Sequence, residues 1–328
     1  MEFIDKELEQ QFSDVDNSDF QNMTFDEKLS IFQVAMQKNI NYEDLNTTLK
    51  FFNDIIVALI RKYVVDDNFK VRELSLFITL ACVEQGGYLF EPYLSIVLPN
   101  LLDLLADKHI NVIKVTDETL SRIFKKINPF YSLEILNLFR TRMEENSWKK
   151  SIGCMKLVSI LAETAPEQID YLLPELIPLI TSQAASTKKE LREESTKALN
   201  KCCDRISNPD VIPLIPKLLE ANKDPTKAPD AIESLMETTF VSQVERSTLA
   251  VIVPILNRGL KDRASKLKRK CCVVIDNMCK LVNDSKDVKP FENELLPYIK
   301  REHEFASQPE VREMAGKAVA TLERALKM

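Results

Sequence analysis

Arg258, Lys261, Arg263, Lys266, Lys268, Arg269 and Lys270 put seven positive charges into thirteen positions, opposed only by Asp262. Chemistry from such a run is neutralisation of phosphate or carboxylate, since each Lys or Arg that pairs with a phosphate releases a counterion. Three of the seven stand where a helix would begin, against the helix dipole, so local helix stability does not account for them. The alternative is a solvated loop. Smaller basic groups recur further back as Lys149 with Lys150 and Lys188 with Lys189, and also as Lys70 with Arg72, Lys108 with Lys114, and Arg192. These are secondary contacts of one basic edge if their turns share a side, although Glu190, Glu193 and Glu194 dilute it.

Bond-making chemistry has little to work with. Five glycines among 328 residues are too few for most phosphate-cradling loops or nucleophile turns, which need positive φ or close backbone approach. His109 and His303, the two histidines, are far apart and offer no metal cluster or triad. No GxxxxGK[ST], GxGxxG, GxSxG or HExxH pattern occurs. Asp276 and Asn277 lack a neighbouring nucleophile and read as structural. Seven cysteines without a CxxC pair lie inside apolar helical patterns and read as reduced core residues. Trp148, the one tryptophan, reads as packing between repeats rather than as a binding platform. The expectation is a binding protein with no enzyme activity, cofactor, metal or small-molecule substrate.

The elements that position the basic run repeat along the chain. Apolar stretches with an embedded proline recur around Pro99, Pro178, Pro216, Pro254 and Pro297, spaced 79, 38, 38 and 43 residues apart, with Leu133 to Phe139 filling the long first gap. A second phrase opens a following helix at Val71, Val112, Trp148, Leu191, Pro229, Leu267 and Val311, at intervals of 41, 36, 43, 38, 38 and 44. Two helices per roughly 40 residues is the signature of a HEAT or armadillo-type α-solenoid. The expected fold is therefore all-α, about seven helical hairpins over residues 29–328. Leu267, Cys271, Val274, Ile275, Met278 and Val282 make one apolar stripe, with Arg269, Asp276 and Lys280 opposite. One hairpin cannot cover such a stripe, so neighbours must stack on it. Asp67 with Arg72 and Asp262 with Lys268 place an acid shortly before a base at the turns within hairpins, and in HEAT arrays such pairs commonly ladder between adjacent repeats.

The formal charge of −6 hides an asymmetry. Residues 1–28 hold nine acids against Lys6 and Lys28, a net of −7, so the remainder is close to neutral. This segment is either a disordered acidic tail or, because Phe3, Ile4, Leu8 and Phe12 recur at helical spacing, one capping helix. The acidic start does not resemble a secretory signal, and no apolar run approaches the roughly 18 residues of a membrane span. A soluble, cytoplasmic protein is expected.

The C-terminal half carries a resemblance. Residues 237–244 (ETTFVSQV), 253–260 (VPILNRGL), Lys268-Arg269-Lys270 and 275–282 (IDNMCKLV) closely resemble the N-terminal HEAT domain of fungal-type translation elongation factor 3, with a similar region in the ribosome-associated activator of the starvation kinase. The likeness continues through Pro290-Phe291, Leu295-Leu296-Pro297 and residues 309–313, and back to Asn146-Ser147-Trp148. Arg258, Lys268, Arg269 and Lys270 match the family's run, whereas Lys261, Arg263 and Lys266 lie in a stretch particular to this sequence. The resemblance implies a module that docks on the ribosome, touching ribosomal RNA and proteins, while ATP-binding cassettes elsewhere in such factors supply ATPase activity. This chain stops at Met328 with no cassette, so it is expected to be either a fragment of a larger factor or a stand-alone HEAT protein. The alternative from another class is a scaffold or adaptor that grips a large protein partner, as the kinase activator or a transport receptor does.

Overall fold

The computed structural model describes residue 20 and residues 22–145 and 147–328. Among them every regular element is helical. The principal helices are α1 (Phe25–Asn39), α2 (45–63), α3 (Phe69–Gly86), α4 (Glu91–Asp103), α5 (Ile110–Lys126), α6 (Ser132–Glu144), α7 (Trp148–Thr164), α8 (Pro166–Ala184), α9 (Lys189–Cys203), α10 (Ile215–Lys223), α11 (Ala228–Glu237), α12 (Arg246–Lys261), α13 (Ser265–Cys279), α14 (Glu292–Phe305) and α15 (Pro309–Ala325). From α2 onward they pair into seven hairpins, and each second-helix phrase read from the sequence falls in the opening turn of α3, α5, α7, α9, α11, α13 or α15. The chain is an α-solenoid of HEAT-type hairpins. Contacts divide it into two compact units, one ending at Ala165 and one beginning at Pro166.

In the first unit, α1 opens on a capping box. Thr24 Oγ1 accepts from the Glu27 amide, and Glu27 accepts from the Thr24 amide at 2.7 Å. Asp26 and Glu27 occupy the first turn, where carboxylates favour the helix dipole, so the end of the acidic segment is helix. Its alternatives of tail or capping helix concern residues 1–19, which lie outside the described residues. The buried Phe20 and Phe32 meet Phe77 of α3, Phe32 stacked on it at 5.8 Å and Phe20 edge-on at 6.5 Å. Helix α2 contains a π-helical stretch, Phe51–Ile56, in which Phe51, Phe52, Ile55 and Ile56 all reach the core. Gly87, with φ +50°, ends α3 in a conformation that costs glycine no Cβ clash.

In the second unit, prolines sit inside α8 (Pro174, Pro178), α12 (Pro254) and α14 (Pro297), as the repeat phrase predicts. Pro216 differs, standing in the first turn of α10 because a 3₁₀ turn, Ile212–Leu214, precedes it. There its missing N–H removes no helix bond. Helix α12 is nearly enclosed: from Arg246 to Leu260 every residue is buried except Pro254, Asn257 and Arg258. Gly259 permits this, since a Cβ there would lie 2.5 Å from Cys271 Sγ and 2.6 Å from Ile232 Cδ1. Asp276, expected on the outer face of α13, is instead 5% exposed and accepts from Thr321 Oγ1 of α15 at 2.6 Å. Helix α13 packs against α11, α12 and α15 together, so its polar side is partly interior. All seven cysteines are free and buried.

Candidate functional site

The basic run spans the end of α12, the turn at 262–264 and the start of α13. Asp262 shapes that turn by accepting from the Ala264 amide at 2.8 Å. The structure then separates the seven cations into two sets. Arg258 reaches back to α10 and donates to the carbonyls of Ala221 at 2.6 Å and Asn222 at 2.9 Å, groups that a helix C-terminus leaves without partners. Burial lowers its guanidinium pKa. Lys268 pairs with Glu302 of α14 at 2.6 Å, with both side chains largely covered. Lys270 pairs with Glu233 of α11, and Arg269 approaches Glu310 of α15 at 4.0 Å. Arg258, Lys268 and Lys270 tie hairpin to hairpin, while Arg269 remains partly exposed beside its carboxylate. The second set faces solvent. Lys261 lies over the Tyr298 ring at 4.7 Å, its chain exposed. Arg263 and Lys266 are exposed and form no ion pair among the described residues.

The secondary positions divide likewise. In the first unit Lys149 is exposed, whereas Lys150 bridges Asp103 and Glu145 at 2.7 Å each. Burial works against the charge of Lys150, but the two carboxylates outweigh it and raise its pKa. In the second unit Lys188 and Lys189 are exposed at the start of α9, with Lys189 3.7 Å from Glu193.

A device that the residue pattern only half disclosed recurs at the turns. Arg72, Arg192 and Arg312 each stand in the first turn of a second helix and donate to the carbonyl six residues back, Asp66 at 2.8 Å, Ser186 at 3.2 Å and Ala306 at 2.6 Å. The guanidinium thus closes its own turn. The carboxylate partners come from the adjacent hairpin, as a ladder between repeats requires, and not from Asp67 or Asp262. Arg72 pairs with Asp107 of the following hairpin, and Lys268 with Glu302, 35 and 34 residues on. Asp67 contributes only its carbonyl.

Three further residues have surroundings that spacing did not reveal. Arg246, 8% exposed, places its guanidinium 4.1 Å from the Tyr171 ring centre and donates to the Lys286 carbonyl, joining α8, α12 and the short turn after α13. Trp148 and Ile110, 38% and 59% exposed, border a groove between α5 and α7. Among the described residues no group of His, Cys, Asp or Glu is arranged to hold a metal ion, and no helix is long and apolar enough to cross a membrane.

Comparison with known proteins agrees with this architecture. The profile of the EF3 N-terminal HEAT repeat matches residues 37–199, and that of the elongation factor 3/GNC1 HEAT repeat matches residues 227–328. The likeness therefore begins well before residue 146. Elongation factor 3B of Saccharomyces cerevisiae is 36% identical over 71% of this chain and 22% of its own length. Elongation factor 3 of Candida glabrata is 33% identical over 89% of this chain and 28% of its own. Elongation factor 3 of Candida albicans is 32% identical over 94% and 30%. The chain thus spans between a fifth and a third of these relatives' length. Of solved structures, a designed armadillo repeat protein is similar at TM-score 0.32 and 14% identity, covering 81% of this chain and 99% of that one. With both elongation factor 3 HEAT profiles satisfied in order along one α-solenoid, the chain belongs to the elongation factor 3 HEAT-repeat family.

Proposed function

We propose that this chain is a ribosome-binding HEAT module acting in translation in the cytoplasm, touching ribosomal RNA and proteins through basic turns. The observation that carries the reading is its likeness, over most of its length, to the N-terminal region of proteins named elongation factor 3. The chemistry of the turn supports it. Lys261, Arg263 and Lys266 project from the α12/α13 turn, with Arg263 and Lys266 unclaimed by any described carboxylate, so their charge is available to phosphate. Arg258, Lys268 and Lys270 act behind them by holding the turn to its neighbours. The module binds and does not itself catalyse; any ATPase activity belongs to cassettes of the kind found elsewhere in such factors.

Co-sedimentation of the purified chain with ribosomes at rising salt tests this. Binding should weaken steeply with salt, and the Arg263→Glu, Lys266→Glu chain should lose binding with a slope smaller by about 1 to 2. Sedimentation unchanged by those substitutions removes the turn from the interface. RNase-insensitive capture of one protein, with no ribosome association, transfers the chain to the scaffold or adaptor class.

A further inference from the structure

Ser265 stands in the middle of the basic run, with Arg263 two residues before it and Lys266 directly after. It is the first residue of α13, and the capping position before it holds Ala264, which offers the helix no side-chain oxygen. Serine at a helix start ordinarily serves as that cap. Here it comes one position too late, and its hydroxyl forms no hydrogen bond among the described residues. The residue is partly exposed, and residues 261–264 and Lys266 around it are exposed. Folding thus leaves this hydroxyl unused in an accessible turn. The start of α13 is also weakly held. Lys266, Lys268, Arg269 and Lys270 crowd positive charge onto the positive end of its dipole, and its first firm anchor is Lys268 on Glu302, three residues beyond the serine. A helix end of that kind opens locally at little cost, as an enzyme that must draw a serine into its own cleft requires.

We infer that Ser265 is a phosphorylation site for a protein kinase that selects serine between basic residues, and that its phosphate switches off the basic turn. The inference rests on the reading of that turn as a surface for polyanions. In the transfer, Ser265 Oγ bonds to the γ-phosphorus of ATP, the bond from that phosphorus to its bridging oxygen breaks, ADP leaves, and the hydroxyl proton passes to the kinase's carboxylate base. The product carries a charge of about −1.5 to −2 at pH 7 and three strong acceptor oxygens. Its partners stand beside it in the chain. They are the amides of the first turn of α13, which no side chain caps, and Arg263 and Lys266, which form no ion pair among the described residues. Three cations face solvent at this turn, Lys261, Arg263 and Lys266, so one phosphate cancels most of their charge. An RNA backbone then meets a nearly neutral turn. The same phosphate favours the helix dipole that the lysines oppose, so the switch acts without unfolding the hairpin.

The full chain is treated with ATP and the catalytic domain of protein kinase C, which selects such surroundings, and the phosphate is located by mass spectrometry. A second preparation carries phosphoserine at 265 by codon reassignment. The kinase should place phosphate on Ser265, and the Ser265→Ala chain should lack it. Either phosphorylated chain should elute from immobilised heparin at lower salt, and the salt slope of its ribosome sedimentation should be smaller by about 1 to 2. Ser265→Ala should match the unaltered chain in both, and the phosphorylated chain should keep its circular dichroism and an equal or higher melting temperature. A folded chain that takes no phosphate at Ser265 overturns the site, whether or not a peptide of residues 258–270 accepts it. Phosphoserine that leaves heparin elution unchanged overturns the switch. Earlier elution with a lowered melting temperature overturns it too, since lost structure then explains the effect. If the unaltered chain fails to sediment with ribosomes, the ribosome is removed as the partner, while heparin elution still decides whether phosphate at Ser265 cancels the charge of the turn.

Discussion

Arg72 grips Asp107 of the next hairpin with two hydrogen bonds, Nε to Oδ2 at 2.7 Å and Nη2 to Oδ1 at 2.8 Å, while its Nη1 closes its own turn on the carbonyls of Asp66 and Asp67. One side chain thus fixes both the turn inside a hairpin and the seam to its neighbour. The pair is largely covered, at 13% and 7% side-chain exposure, so removing one partner strands a buried charge. Arg72→Leu or Asp107→Leu should each cost the first unit about 3 kcal/mol, with a coupling in the double variant that two exposed charges would not show. Burial pushes the Asp107 carboxyl up, but its hydrogen bonds to Arg72 and the His109 amide outweigh this and leave its pKa lowered. A lowered carboxylate pKa stabilises the fold above the unfolded value, near 4, and that stability is lost as pH falls through the folded value. Acid titration of unfolding should therefore show a smaller loss in Asp107→Asn than in the unaltered chain.

Glu73 behaves in the opposite sense. It is 3% exposed, its Oε1 has no hydrogen-bond partner among the described residues, and burial raises its pKa despite Lys28, His109 and Arg72 nearby. A raised carboxyl pKa contributes stability below the unfolded value of about 4.3 that is lost as pH rises through the folded value. Glu73→Gln should leave stability at pH 4 nearly unchanged and raise it at pH 7 by about 1 kcal/mol, measured by denaturant melts at both pH values. A variant equally destabilised at both would show that Oε1 has a partner in solution.

The hairpin count, the proline phrase and the start of each second helix were readable because period and apolar stripe are one-dimensional properties. What the basic run does was not, because its partners come from other hairpins 34 to 41 residues away. Spacing places Asp262 and Lys268 at one turn and suggests a ladder between repeats without naming the partner; Glu302 of the following hairpin takes the lysine, since helices stacked side by side bring whole turns together. The same blindness hid Arg246 and the burial of Asp276. The contacts divide the run by role: Arg258, Lys268 and Lys270 are tied into the fold, and Lys261, Arg263 and Lys266 face solvent.

Gly259 marks the tightest approach of α12 to its neighbours. With Cys271 Sγ and Ile232 Cδ1 both within 2.6 Å of where a Cβ would stand, Gly259→Ala must push aside two buried side chains that have little free space to move into. The expected cost is about 1 to 3 kcal/mol in the second unit, read from its thermal transition, even though alanine has the better helix propensity. A gain in stability would mean the helices part easily.

The thiols should be silent in the native state. Burial pushes Cys154, Cys202, Cys272 and Cys279 up to about 12, and raises Cys82, Cys203 and Cys271 as well. At pH 8 a thiol of pKa near 12 is about one part in ten thousand thiolate, and a buried one must also wait for local opening. An aromatic disulfide reagent should modify all seven in denaturant and none promptly without it. Prompt native reaction of any one would identify a site of local unfolding.

The division of the basic run makes stability and binding separable. Arg258→Met leaves the Ala221 and Asn222 carbonyls at the end of α10 without their donor, a loss of about 1 to 3 kcal/mol. Lys268→Met strands Glu302, which is 9% exposed, with a similar expected cost. Each should lower the melting temperature by about 2 to 8 °C and weaken ribosome association only as far as the turn loosens, so binding should recover when measured well below the transition. Arg263→Glu and Lys266→Glu should do the reverse, leaving the melting temperature unchanged and reducing the salt dependence of binding. Melting curves and salt-resolved sedimentation on the same four variants decide it. If Arg258 and Lys268 prove to set the salt slope while Arg263 and Lys266 do not, the interface lies on the seams between hairpins and not on the projecting turn.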